Sequence, residues 1–292
     1  MEQLAFAEIG TRQVIPFTRG LLKWVGNKQR FASEIVSYFP SDFGAYFEPF
    51  IGSGGVLATL APKHALASDS FAPLIEIWQT LSSNPSLLKR WYQERWELCS
   101  KGDHVEEYEK IKASFNVKPN GADLLFLCRA CYGGVVRFRQ ADGYMSTPCG
   151  IHKPIHPTSF SKRVDEWARR LRGTTFKLMD YAEALKIAAP GDLVYCDPPY
   201  SDTQSILYGA QSFSLPKLLE AITGCKRRSV FVALSIDGTK RSGKHNVELP
   251  IPSGLFEREV SISCGRSMLK RFQMNGKNLS DEIVTDRLLL TY

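Results

Sequence analysis

The sequence predicts an α/β fold: a twisted sheet with helices on both faces, plus an inserted, mainly helical segment carrying a β-hairpin. Three observations predict it. A strand-like run, Ala45-Tyr46-Phe47-Glu48, leads into a glycine turn at Gly52-Ser53-Gly54-Gly55 and then into an apolar helix start. After residue 172, short apolar β-type runs again alternate with helical periodicity, the pattern of a sheet with crossover helices. Between these halves, from Asn84-Pro85 onward, lies a stretch of different composition.

Composition bounds the reading. The chain has 292 residues, 43% hydrophobic and 23% charged, enough for one large domain with an insertion. Net charge is +7, which suits a polyanionic partner without demonstrating one. Seven cysteines, an odd number in a long chain, argue against a secreted disulfide framework. No apolar run approaches a membrane span, and Met1 to Gly20 lacks a signal-peptide core, so the expected location is cytoplasmic.

In chain order, residues 1–20 read as a loose arm. Lys23-Trp24-Val25-Gly26-Asn27-Lys28 follows, turn chemistry flanked by an aromatic and two lysines; core packing for Trp24 and solvation for Lys28 would also account for them. Phe31 to Phe39 has helical spacing and Pro40 ends it. The glycine turn lets the backbone approach a ligand at a helix start. Next, His64-Ala65-Leu66-Ala67-Ser68 leads into Asp69, and an acid at the end of a second strand is where doubly wound folds hold a ribose diol. Strand, glycine turn, strand and acid together point to an adenosine-containing cofactor.

Residues 83–171 hold 15 Lys/Arg against 10 Asp/Glu, most of the chain's excess charge. Residues 86–113 read as helices with Trp91, Tyr92 and Trp96, and a further helix runs from Ala122 to Cys131. Tyr132 to Ser146 reads as two strands joined at Asp142-Gly143, with Arg137 and Arg139 interleaved among Tyr132, Phe138 and Tyr144. A two-stranded ribbon bearing arginines fits a DNA major groove; a purely structural hairpin would look the same. Thr147 to Ser159 is a loop with His152, Lys153 and His156, and Ser161 to Leu171 a basic helix. Cys128, Cys131, Cys149 and His152 have a zinc-ribbon-like spacing, but Cys128 and Cys131 fall one helical turn apart in an apolar run, so they are expected in the core and no metal is assigned.

Beyond residue 172, Thr174 to Met179 reads as a strand ending at Asp180-Tyr181, Ala182–Ala189 as a helix, and Gly191 to Cys196 as a buried strand. That strand ends at Asp197-Pro198-Pro199-Tyr200. Two prolines have no N–H for the ladder, so the chain turns out of the sheet. A carboxylate, a proline carbonyl and an aromatic ring then stand at a strand's carboxyl end. Two acceptors can take both hydrogens of a planar amine while the ring stacks on the group that bears it. That is chemistry for alkylating an exocyclic amine, although a strand-ending turn with an N-capping acid has the same residues. Residues 201–212 read as a polar loop able to close over a substrate, Phe213 as a helix start, and Val230 to Ser235 as a buried strand. Residues 236–244 are expected to be mobile, and Leu255–Cys264 to pair antiparallel with Arg287–Tyr292.

In order and spacing, the segment Lys23 to Lys28, the segment Glu48-Pro49-Phe50-Ile51-Gly52-Ser53-Gly54, Asp69, the Tyr132 to Gly150 hairpin, Asp180 and the Asp197 tetrad resemble the Dam-type (class alpha, D12 class) DNA adenine N6-methyltransferases over nearly the whole chain. The resemblance implies a Rossmann-like methyltransferase sheet and S-adenosyl-L-methionine as cofactor. It implies a catalytic domain built from residues 1–82 and 172–292 and a target-recognition domain at 83–171. Trp24 and Lys28 would contact the cofactor, and Phe50, Gly52, Ser53 and Gly54 would wrap its methionine part. Asp69 would take the ribose hydroxyls, and Asp180, beside Tyr181, the adenine amino group. Asp197, adjoining the cofactor, would hold the target N6 with the Pro198 carbonyl, while Pro199 completes the turn and Tyr200 stacks on the flipped base. Arg137 matches the family's hairpin arginine; Tyr132, Arg139, Tyr144 and Lys153 are the further DNA-binding candidates.

Two positions depart from the family pattern. Asn27 stands where a second glycine is frequent. Gly133 stands where GATC-reading members have an asparagine, which bears on the recognised sequence rather than on DNA binding. The expected partner is double-stranded DNA, with a cognate restriction endonuclease or defence system acting on the same site. Cytosine N4 transfer uses the same logic with serine in place of Asp197. A catalytically silent DNA-binding protein is the reading from another class, and a cofactor titration separates it.

Overall fold

Short, continuous β-type runs, buried on both faces at the centre, form the sheet of the computed structural model, which describes residues 13–292 apart from 140, 200–212, 238, 241–244, 247–250 and 267–282. The parallel strands are β1 (Tyr46–Glu48), β2 (Ala65–Asp69), β3 (Thr174–Leu178), β4 (Leu193–Cys196) and β5 (Phe231–Asp237). Helices occupy the crossovers: α1 (Ala32–Ser37) precedes β1, and α2 (Gly55–Leu60) follows it. The helices α3 (Ala72–Ser83), α4 (Pro85–Lys101), α5 (His104–Val117), α6 (Gly121–Ala130) and α7 (Pro157–Arg170) lie between β2 and β3. Then come α8 (Tyr181–Ile187) and α9 (Leu215–Arg227). A small pair, β6 (Thr239–Lys240) with β7 (His245–Asn246), precedes the long β8 (Arg258–Arg266) and β9 (Ile283–Leu290).

Sheet order is β3-β2-β1-β4-β5-β9-β8, with β9 antiparallel to both β5 and β8. Side chains alternate between two cores. Tyr46, Leu193, Tyr195, Ala233 and Leu288 enter the larger cluster; Phe47, Val194, Cys196, Val232 and Leu289 enter the one covered by α8 and α9. The strand order reverses between β1 and β4, so their carboxyl ends open a crevice there. At the opposite end, buried Asp192 ties the two strands together by accepting from Ala45 N (2.7 Å) and Ala189 N (2.8 Å).

The larger core continues from the sheet through α3 into the inserted helices. Side chains of Asn84, Asp103, Asn120 and His156 cap α4, α5, α6 and α7. Every residue of α6 is buried, and Tyr92 of α4 stacks on Phe160 of α7 at 4.0 Å.

Several expectations are corrected. Within the arm, residues 17–20 are not loose: Phe17 is buried against Trp167 (5.4 Å), and the Arg170 guanidinium lies 4.2 Å over its ring. Trp167 Nε1, Arg163 and Arg129 donate to the carbonyls of Arg19 (2.7 Å), Gly20 (2.9 Å) and Leu21 (2.6 Å). Three arginines of the basic insert thus work inward, since Arg170 also donates to Ala58 O. The Tyr132–Ser146 hairpin is not a two-stranded ribbon. Gly133 and Gly134 both adopt positive φ, so Tyr132–Gly134 coils into a 3-10 turn, and pairing survives as isolated bridges at Phe138–Met145 and Cys131–Cys149. The basic helix begins at Pro157, four residues early, because proline suits a first turn.

Part of 236–244 is ordered pairing, Thr239 opposite Asn246; residues 238 and 241–244 lie outside the described residues, as does the predicted loop at 201–212. Cys128 and Cys131 are buried, their thiols pushed up by burial to about 11 and about 12, while His152 is exposed. Among the described residues no group of three or more metal-ligating side chains is gathered, and no helix is long and apolar enough to cross a membrane.

Candidate active site

A cleft opens at the carboxyl ends of β1 and β4, and the sequence-selected residues from distant segments converge on it. Trp24, Lys28, Phe50, Gly52, Ser53, Asp69, Asp180, Tyr181, Asp197 and Pro199 line it; Gly54 and Pro198 do not. Tyr200 lies outside the described residues. The hairpin residues stand elsewhere: Tyr132, Arg139, Tyr144 and Lys153 are exposed and Arg137 is half-buried.

The glycine loop is shaped by two positive-φ residues, Gly52 (+45°) and Gly54 (+66°). Space allows little else: a Cβ on Gly52 would sit 3.3 Å from Trp24, and one on Gly54 would sit 3.2 Å from Trp78. Trp78 Nε1 also donates to Gly52 O (3.2 Å), and its ring packs on Trp167 and Phe176. Asn27, where a second glycine was expected, has a structural use. Its Oδ1 accepts from Gln29 N (2.8 Å) and Ser53 Oγ (3.0 Å), joining the Trp24–Lys28 segment to the glycine loop.

Asp69 closes β2 beside that loop. Its carboxylate accepts from Phe71 N (3.1 Å) and Gly52 N (3.4 Å). Burial pushes its pKa up to about 6, against the pull of those N–H groups. Asp180 caps α8 by accepting from Ala182 N (2.8 Å) and keeps its exposure at the cleft mouth. Beside it, Phe50 and Tyr181 stack at 5.2 Å with Phe213 edge-on to Phe50 at 6.0 Å, an apolar wall suited to a planar ring.

Asp197 follows β4 directly. Its Oδ1 is 2.8 Å from the ammonium of Lys28, which is itself only 5% exposed. Glu48, at the end of β1, faces the same space and accepts from Tyr46 Oη (2.6 Å). Burial, with the Asp197 charge adding to it, raises the Glu48 pKa to about 8, so near neutrality Glu48 is mostly an uncharged acid.

Local pattern did not single out Glu48, Trp78, Phe213 or Tyr195, which are apolar or acidic residues in ordinary element positions. Only Glu48 carried a usable signal, as the acid that precedes Pro49 and the glycine turn. The hairpin meets the cleft indirectly: Phe138 packs edge-on at 5.5 Å against Phe71, a cleft residue. Arg139 folds back on its own turn, Nη2 2.5 Å from Asp142 Oδ2 and its guanidinium 4.3 Å over the Tyr144 ring.

The chain is 28% identical over 284 residues to the DNA N-6-adenine-methyltransferase of Escherichia phage P1, covering 88% of this chain but 35% of that protein. It is 28% identical over 238 residues to the type II methyltransferase M1.LlaDCHI of Lactococcus lactis subsp. cremoris, covering 75% of this chain and 80% of that one. It is 25% identical over 230 residues to the DNA adenine methylase of Escherichia coli K12, covering 74% and 80%. Residues 24–240, the span from Trp24 past the Asp197 tetrad, match the profile of a single family, and the chain belongs to it: the D12 class N6 adenine-specific DNA methyltransferases.

Proposed function

We propose that this DNA adenine methyltransferase takes S-adenosyl-L-methionine as methyl donor in the β1/β4 cleft and acts on an adenine flipped out of double-stranded DNA. The observation that carries the reading is the single cleft lined by Asp69, Asp180, the glycine loop and Asp197. Its chemistry fits the cofactor: a carboxylate with lone pairs left for a diol, a second acid at the mouth for an amino group, and an aromatic wall between them. When bound, the cofactor supplies an electrophilic methyl on a sulfonium. The chain's own residues bind and orient the reactants and accept hydrogen bonds from the amine.

Asp197 and the Pro198 carbonyl accept the two N6 hydrogens, and Tyr200 stacks on the base. Accepting both hydrogens aims the nitrogen lone pair at the methyl, and the proton that N6 loses as the methyl's bond to sulfur breaks would pass through Asp197 to solvent. Positioning and electrostatics supply most of the rate. Residues 83–171 act as the target-recognition domain, with Arg137, Arg139, Tyr132, Tyr144 and Lys153 on the DNA. The Arg139–Asp142 pair is exposed, so exchanging Asp142 for a phosphate or a base edge costs little. The relatives named above come from two bacteria and one phage, and one is a type II methyltransferase, which supports a cytoplasmic role alongside a restriction partner.

Asp197→Ala tests the reading. Methyl transfer into unmethylated genomic DNA should fall at least a thousandfold, on the order of the loss of a central positioning and electrostatic group. Cofactor affinity should fall far less. A variant that methylates at the wild-type rate would sink the assignment.

A further inference from the structure

The ammonium of Lys28 has a second carboxylate beside it. Asp286 of β9 places Oδ2 3.6 Å from Lys28 Nζ, on the same ammonium that pairs with Asp197 at 2.8 Å. The Asp286 side chain is 10% exposed, and it lies outside residues 24–240, the span shared with the family. Lys28 Nζ also stands 3.4 Å from Gly26 O. Acceptors from three segments therefore surround one buried cation: its own loop, the end of β4 and the body of β9.

We propose that Asp286 is a positioning residue for methyl transfer, acting on Asp197 through Lys28. The inference rests on the role proposed above for Asp197. Lys28 belongs to a loop, whereas Asp286 sits on a paired strand, in register with Asp237 of β5 and Ile262 of β8. A side chain on a paired strand is held more closely than one on a loop. A buried ammonium demands compensation, and two carboxylates share that demand. With Asp286 present, Lys28 stays compensated when Asp197 turns its oxygens to the incoming amine. Without it, Lys28 leans harder on Asp197 and competes with the amine for the same acceptor. The loss should therefore fall on the transfer step and not on cofactor binding.

The test is single-turnover transfer of labelled methyl from S-adenosyl-L-methionine into unmethylated genomic DNA, with cofactor titration and melting temperature on the same samples. Asp286→Asn should slow transfer roughly tenfold to a hundredfold, the scale of a small misplacement of a reacting group. Cofactor affinity should stay within about twofold, and adding Asp286→Asn to Lys28→Met should cost little more, as two members of one network do. Asp286→Glu, which keeps the charge, should be faster than Asp286→Asn and serves if the asparagine variant does not fold. Three results would overturn the inference: a wild-type rate in Asp286→Asn while Asp197→Ala is inactive, losses that multiply in the double variant, or glutamate no faster than asparagine. Activity in Asp197→Ala would instead sink the parent reading.

Discussion

Two acids of the cleft show how burial sets a residue's duty. Asp69 and Glu48 both lose water, yet Asp69 receives two backbone N–H groups while Glu48 receives one tyrosine hydroxyl and faces the Asp197 charge. Their pKa values rise to about 6 and about 8, so near neutrality Asp69 is mainly an acceptor and Glu48 mainly a neutral acid. In the cofactor site proposed above, the ribose diol would donate and so would bind the ionised form of Asp69. Cofactor affinity should therefore rise as pH increases through about 6 and should be lost below it, roughly tenfold for each pH unit on the acid side. Asp69→Asn should bind more weakly and flatten that profile. Calorimetric titration of S-adenosyl-L-methionine across this range checks both. A profile of Asp69→Asn parallel to wild type would assign the titration to another group.

At the scale of elements, the glycine loop is a turn pressed against a wall of indoles. Gly54 at φ +66° stands where an added Cβ would meet Trp78 at 3.2 Å and Trp167 at 3.3 Å. Gly54→Ala should cost about 1–3 kcal/mol from the left-handed backbone alone, with crowding added. Thermal melting should show the loss, and cofactor binding should weaken with it, because the neighbouring Gly52 N–H and Ser53 are held by the same turn. The hairpin teaches the opposite lesson. Its Asp142-Gly143 turn is where the chain reverses, but Gly133 and Gly134 coil the first arm before it can extend. Asparagine tolerates the left-handed region better than other non-glycine residues, so this backbone position suits either residue.

Across the whole molecule, the segment between β2 and β3 is tied to the β1/β4 cleft at two places. The strap of residues 17–21 is held by Arg129, Arg163 and Trp167 of the inserted helices, and it runs on into Trp24 and Lys28. On the other side, Phe138 of the hairpin packs on Phe71, whose N–H holds Asp69. A ligand that orders one side should order the other, and such coupling is reciprocal in free energy. Cofactor affinity should be several-fold higher with duplex DNA bound than without it, a coupling on the order of 1 kcal/mol. Phe138→Leu, chosen to keep the core filled, should shrink that difference while leaving affinity in the absence of DNA close to wild type. Paired titrations with and without DNA measure it, and an unchanged difference would remove the hairpin from the coupling.

What the sequence determined by itself is local: the short apolar runs that build the sheet, the glycine turn, and the acids at the ends of β2, β3 and β4. These are legible because side-chain period, missing proline N–H groups and glycine's conformational freedom act within a few residues. Only the tertiary structure decided which charges meet. Lys28 reaches Asp197 and Asp286, and Arg129 caps Leu21, across separations that no window of sequence spans. The same holds for the insert's positive charge, part of which the fold turns inward onto backbone carbonyls. A buried cation takes its partners from whatever the packed elements bring beside it, and the order of residues along the chain does not specify that neighbourhood.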